Sequence, residues 1–200
     1  MFDLVIIGGG AAGMSCALII GSALKKPFAE NKKTALIAHQ KSSHLQNALF
    51  NNVLGLTPGT LGEDILENGK RELKNLYPEL TLIEKEKVLE VVEHQNYFEI
   101  ITNKNNYQTK TAVLATGYTS PFSIKGLSKY VIPHQMAKPE KNRVQLKNSL
   151  HLIKPNLYVA GSLAGWRSQF AIACGSGAQV ATDILTTWNN DEHTKVHDKK

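Results

Sequence analysis

The 200-residue sequence predicts an α/β fold with a parallel central sheet and a β-meander. Three observations predict it. Near the N-terminus an apolar strand runs straight into a glycine-rich turn and a helix. The middle of the chain holds short, strand-like runs separated by polar turns. Near the C-terminus a buried-type strand is followed by a helix of small residues. Two hundred residues suit one domain, in which roughly 70% of the unfolded chain's surface is buried.

Phe2–Ile7 reads FDLVII, an apolar run with β-branched residues that suits a strand buried on both faces. Gly8-Gly9-Gly10-Ala11-Ala12-Gly13 follows and matches GxGxxG. Met14–Leu24 then reads as an apolar, alanine-containing helix packed on a sheet. Gly8 permits a tight turn, Gly10 lets a phosphate approach the backbone, and Gly13 lets helix and strand pack closely. The helix N-terminus, starting at Ala11 and Ala12, presents unpaired N–H groups and a partial positive charge. A Rossmann-like dinucleotide site is the expectation; a glycine turn that binds nothing is the plainer alternative.

A second strand is expected at Thr34–Ala38. Dinucleotide sites usually place an acid at its end to hold a ribose. Here Ala38-His39-Gln40 stands instead, so His39 or Gln40 is left to bond a ribose hydroxyl, unless His39 is plain solvated surface. Residues Thr81–Lys110 read as a short strand and two hairpins, with strands at Val88–Glu93, Tyr97–Thr102 and Tyr107–Lys110. Thr111–Gly117 (TAVLATG) reads as a further strand. The proline-interrupted stretch Tyr118–Pro155 is a connector crossing the sheet, with a short strand at Arg143–Leu146. Asn156–Gly161 (NLYVAG) is the last strand, and Gln169–Leu185 the last helix.

This order of GxGxxG, meander, ATG and "LYVAG…SQFAIACGSGAQVA" resembles the FAD domain of the pyridine nucleotide-disulfide oxidoreductases. Within them it is most similar to the low-molecular-weight thioredoxin reductases, over roughly Phe2 to Thr187. Leu45–Leu66, with Asn52-Val53-Leu54-Gly55 and Gly62-Glu63-Asp64-Ile65-Leu66, resembles the loop and helix those proteins set beside the flavin. The resemblance implies a Rossmann-like FAD-binding domain at 1–187, followed by a polar tail at 188–200. It implies FAD contacts from Asn47 and Asn52 in that loop, from Val88 at the meander, and from Ala115, Thr116 and Gly117. Gly161 and Ser162 would meet the ribityl chain, and the backbone amides of Gln169 and Phe170 the flavin pyrimidine edge. A helix N-terminus there stabilises the negative charge that a reduced flavin carries near N1.

The sequence departs from that family in three ways. The acid after the second strand is missing. Ala160-Gly161-Ser162 stands where the family has Ala-Gly-Asp, and serine binds a hydroxyl less strongly than a carboxylate does. Where the family inserts an NADPH domain carrying a redox CxxC, only Tyr118–Pro155 is present, and no CxxC occurs. The dithiol relay that reduces thioredoxin is therefore not carried by these residues. Electrons are expected from an external donor: free NAD(P)H, a separate reductase or a small thiol. An uncovered flavin face is open to a partner protein or a second copy in a homodimer. The alternatives are an FAD-binding redox sensor or complex subunit without turnover, and an NAD enzyme, against which the meander and the last helix argue.

Cys174, in the helix that starts beside the expected flavin, is the one candidate catalytic thiol. A small packing residue is the plainer reading, as it is for Cys16. Trp166 and Arg167 lie in the loop before that helix, where they could line the flavin entrance. The net charge of +6 comes from scattered lysines without clustered aromatics, so no nucleic acid is expected as partner. Two distant cysteines make neither a disulfide scaffold nor a metal site, and suit a reducing cytoplasm. Glycines interrupt the apolar N-terminus, and no apolar run approaches the ~20 residues of a membrane span.

Overall fold

The computed structural model describes residues 1–39, 44–118, 121–194 and 196. Strand β1 (Phe2–Ile7), helix α1 (Ala11–Ala23) and strand β2 (Thr34–Ala38) form the first unit. A two-strand hairpin, β3 (Leu49–Phe50) with β4 (Thr60–Leu61), leads into helix α2 (Gly62–Leu76) and strand β5 (Thr81–Glu84). The meander is β6 (Val88–Glu93), β7 (Phe98–Thr102) and β8 (Asn106–Leu114). In the connector β9 (Val131–Pro133) pairs antiparallel with β10 (Val144–Leu146). Strands β11 (Leu152–Lys154) and β12 (Leu157–Val159), a 3-10 turn at Gly161–Ala164 and helix α3 (Phe170–Trp188) follow.

The main sheet runs β11-β12-β8-β1-β2-β5. Its five strands β12, β8, β1, β2 and β5 are mutually parallel, and β11 is antiparallel at the edge. Alternation along β1 divides the core in two, because successive side chains point to opposite faces. Leu4 and Ile6 pack under α1 and α3 with Ile20, Val180 and Ile184. Val5 and Ile7 pack on the other face against Val91 and Ile100 of the meander and Leu127 and Leu146 of the connector. The β-meander and connector therefore form a third layer, opposite the helices.

Two expectations are corrected. Tyr107–Lys110 and Thr111–Gly117 are not separate strands: Asn106–Leu114 is one strand, and Ala115–Gly117 lies beyond its end. Its first half pairs antiparallel with β7, while its second half pairs parallel with both β1 and β12. The abrupt change from polar to apolar composition at Thr111 marks a change of neighbours rather than a break in the strand. The last helix also begins at Phe170, with Gln169 as its N-cap, and runs on to Trp188. Trp188 and Val196 pack on the helix-side core, and the buried Thr194 sits against the Leu185 carbonyl.

Among the described residues no helix is long and apolar enough to cross a membrane, and no cluster of three histidine, cysteine or acidic side chains could hold a metal.

Candidate functional site

Four parallel strands end at one level. Ile7 of β1 pairs with Ile37 of β2 and Leu114 of β8, and Leu114 pairs with Val159 of β12. The segments after them leave the sheet side by side, at the point where the chain from β1 turns toward β2 and away from β8. Open α/β sheets place their ligand sites at such a switch point. A cleft of about 340 Å³ opens there.

One wall is the glycine turn and the start of α1. Gly8 has φ +112 and donates its N–H to the Ile37 carbonyl at 2.9 Å. A Cβ on Gly8 would sit 2.5 Å from the Ala115 carbonyl oxygen, so only glycine keeps β1 and β8 this close where they end. The first intrahelical bond of α1 runs from Met14 N to Gly10 O at 2.8 Å. The amides of Ala11, Ala12 and Gly13 thus have no acceptor within the helix. Gly10, Ala11 and Ala12 line the cleft. Gly13 lies outside the lining, where a Cβ would run into the Gly8 carbonyl, so its lack of a side chain lets α1 pack closely on β1.

The opposite wall is the turn after β12 and the start of α3. Gly161 has φ +72, and its missing Cβ would lie 2.9 Å from Ala12 Cβ. Ser162 beside it receives, on its carbonyl, a hydrogen bond from Nε2 of His134 at 2.9 Å. Nδ1 of the same ring accepts from Met136 N, which leaves Nε2 as the donor. The first α3 bond runs from Ala173 N to Gln169 O, so the amides of Phe170, Ala171 and Ile172 have no acceptor within the helix. Neither α1 nor α3 carries an acid in its first turn. Two uncapped, positive helix ends therefore face one cleft.

Ala115, Thr116 and Gly117 form the floor between these walls, and His39 and Val88 line the far end. The structure thus brings together Gly8, Gly10, Ala11, Ala12, His39, Val88, Ala115, Thr116, Gly117, Gly161, Ser162, Gln169 and Phe170. Asn47 and Asn52 are exposed and outside the lining, and Gln40 lies outside the described residues. Cys174 also lies outside the lining, with its thiol against Ser15 of α1. Burial pushes its pKa up, which keeps the thiolate scarce. Cys16 is fully buried and pushed up to about 12. Trp166 and Arg167 do not line the cleft either; the Trp166 indole turns toward His151.

Several lining residues carried no sequence motif. Phe50 of the β3–β4 hairpin packs on Phe170 with ring centroids 5.0 Å apart. His44 stacks on Tyr118 at 5.6 Å, and the Arg143 guanidinium lies 4.5 Å from the Tyr118 ring. Glu86 is the one carboxylate among the described lining residues. Its oxygens take bonds from Thr102 Oγ1 at 2.7 Å, Asn105 Nδ2 at 2.8 Å and the Tyr107 hydroxyl at 3.0 Å. Burial alone would raise its pKa, but these three donors outweigh it and hold the carboxyl below the usual range. With that charge spent on the meander, the cleft presents backbone amides, helix ends and Lys87, a set that suits a diphosphate.

The sequence and the fold both have known counterparts. Residues 2–162 match the family model described as pyridine nucleotide-disulphide oxidoreductase. A ferredoxin–NADP reductase 1 of Bacillus pumilus is 31% identical over 129 residues, covering 62% of this chain and 35% of that protein. An uncharacterized oxidoreductase, CzcO, of Bacillus subtilis is 27% identical over 195 residues, covering 92% of this chain and 52% of that protein. The chain thus spans about half or less of the length of these curated relatives. Among solved structures, a thioredoxin reductase from Gloeobacter violaceus superposes with a TM-score of 0.72 at 14% identity, covering 100% of this chain and 98% of that one. That likeness bears on the fold alone. The family match spans the glycine turn, the meander and the ATG floor and ends at Ser162 in the turn after β12; on that match this chain is a member of the pyridine nucleotide-disulphide oxidoreductase family.

Proposed function

We propose that this chain is a thioredoxin reductase-like flavoprotein domain, an oxidoreductase that receives its electrons from an external donor. The observation that carries the reading is the pair of uncapped helix ends, α1 and α3, on opposite walls of one cleft at the strand ends. FAD, the cofactor of this family, has two parts that need such ends: a diphosphate, and a ring that gains negative charge when reduced. The amides of Ala11 and Ala12 would hold the diphosphate, His39 an adenosine ribose hydroxyl, and Ser162 a ribityl hydroxyl. The first-turn amides of α3 would face the pyrimidine edge. Bound FAD would supply the hydride and electron transfer.

The chain's own residues supply the setting. Two positive helix ends, with no free carboxylate among the described lining residues, favour an electron-rich ring, and Phe50 with Phe170 gives one side of the cleft an aromatic lining. Neither cysteine lines it, which supports an external donor: NAD(P)H, a reductase or a small thiol. The test is the visible spectrum of the purified protein, followed by anaerobic addition of NADPH. Two-banded flavin absorption that NADPH bleaches supports an enzyme fed directly by the nucleotide. Flavin that bleaches only with an added reductase or dithiol supports the external-donor reading in its other form. Flavin that light reduces but no donor does moves the assignment to a sensor. A colourless protein that refuses added FAD overturns the reading.

A further inference from the structure

Behind the α3 wall a side-chain network runs away from the cleft. The Gly161 N–H donates to Ser176 Oγ at 2.7 Å, and Ser176 Oγ lies 2.9 Å from Nε2 of His151. The Trp166 indole N–H donates to the same Nε2 at 3.0 Å. An indole nitrogen can only donate. Nε2 must therefore present its lone pair, the ring proton resides on Nδ1, and the imidazole is neutral. Ser176 accepts from Gly161, and its hydroxyl shares the single Nε2 lone pair with the Trp166 N–H. The backbone is bent to put the ring there: Leu150 and His151 are consecutive non-glycine residues at φ +47 and +73. Asn148 Oδ1 accepts from His151 N, and Val159 N donates to His151 O.

This network touches the cleft at two points. Gly161 is part of its lining, and Trp166 begins the short segment that delivers Ser168, Gln169 and Phe170 to it. We propose that His151 is a positioning residue for the cofactor cleft: its neutral ring, accepting from Trp166 and facing Ser176, fixes both the Gly161 turn and the approach to α3, and protonation of Nε2 releases Trp166. The site-level consequence rests on the flavin reading above; the network itself does not. Once Nε2 carries a proton, Ser176 can turn and accept from it, because a hydroxyl both donates and accepts. Trp166 has no such option, and two N–H groups would face each other.

Burial holds the imidazole below its ordinary pKa, outweighing the opposing pull of Asp183 on α3 and of the Leu150 backbone; the buried Nδ1 has no hydrogen-bond partner among the described residues. Tyr158 on β12, Lys154 on β11, Arg167 in the Trp166 loop and Cys174 on α3 are the other titratable groups on the elements around it, the Cys174 thiol being turned to Ser15 of α1. Lys154 is engaged with Glu93, and neither Tyr158 nor Arg167 hydrogen-bonds to His151.

The test uses the FAD-free full chain carrying Trp188→Phe, which leaves Trp166 as the only indole. Its emission is followed from about pH 8 to pH 5, the range in which histidine titrates. The expected result is a single transition centred below the ordinary histidine value. It should vanish in His151→Gln, whose side chain carries an acceptor oxygen but no titrating proton. Affinity for added FAD, read by quenching of flavin fluorescence, should fall about tenfold across the same transition, the equivalent of one lost hydrogen bond. In Trp166→Phe it should be weak at every pH. Emission that is flat with pH, or a transition that persists in His151→Gln, overturns the proposal. A clear transition in a protein that takes up no FAD would overturn the flavin reading and leave the His151 lock standing. Flat emission in a protein that binds FAD would overturn the lock alone.

Discussion

At Gly161 the backbone conformation and the neighbouring wall make the same demand. A methyl group there meets a left-handed φ of +72 and the Ala12 side chain at once. Gly161→Ala is expected to cost about 1–3 kcal/mol of stability and to weaken FAD binding at least tenfold, since relief comes only by widening the cleft. Thermal melts with and without FAD measure both effects. Glu86 poses a different problem. Glu86→Ala would leave the Asn105 and Tyr107 donors without their acceptor, while Thr102 keeps the Asn105 carbonyl at 2.9 Å; the cost is about 2 kcal/mol, and the meander under the cleft would loosen. The glycines were legible in the sequence because their constraint is local: a turn must fit within six residues. Glu86 was not, because its partners stand 16 to 21 positions away and only the folded meander assembles them. Phe50 and Tyr118 escaped for the same reason. The sequence carries no acid directly after β2 or β12, and Glu86, the one carboxylate among the described lining residues, is held by the meander.

The helices and strands show where composition misleads and where it suffices. Strand β8 was read as two elements because its halves differ in polarity, whereas the backbone continues and only its neighbours change. The hairpins β3–β4 and β9–β10 are too short for an alternating pattern to be visible, and only the second strand of the latter was anticipated. Helix α3 was legible from its run of small residues, and its packing shows why they are small. A Cβ on Gly177 would run into the Ala12 carbonyl, so α1 and α3 touch backbone to backbone. Gly175, two residues earlier on the same helix, faces open space. The pair makes a controlled experiment. Gly177→Ala is expected to destabilise by about 1–3 kcal/mol through overpacking and to move the α3 end away from the cleft, lowering FAD affinity. Gly175→Ala should stabilise by up to about 1 kcal/mol through helix propensity and leave the affinity unchanged. Equal effects from both would show that α1–α3 contact is not what positions the helix end.

For the molecule as a whole, the sheet order could not be read from the chain, since β12 and β1 flank β8 from opposite ends of the sequence. Its consequence is an acid-sensitive assembly, because the long-range ties are charged. Glu93 at the end of β6 takes Lys154 of β11 at 2.9 Å, Lys129 at 3.2 Å and the Tyr130 hydroxyl at 3.1 Å, joining the meander, the sheet edge and the connector. Burial opposes ionisation of Glu93, but those three partners outweigh it and hold its carboxyl below the usual range. Asp3, Glu84 and Glu86 are shifted the same way. A carboxyl with a depressed folded pKa contributes stability above its unfolded value and loses it as pH falls through the folded one. His151 is also depressed, but as a base: the unfolded chain takes up its proton first, so stability declines from about pH 6.5 downward and levels off below the folded value. Denaturant midpoints should therefore fall in two stages on acidification. Only the first should flatten in His151→Gln, and only the second should shrink in Glu93→Gln. Salt should weaken the second stage more than the first, because Lys154 and Lys129 are solvent-facing ends of their pairs whereas His151 and Ser176 are buried. A single acid transition that neither variant alters would mean that the meander and the α3 wall are held by apolar contacts alone.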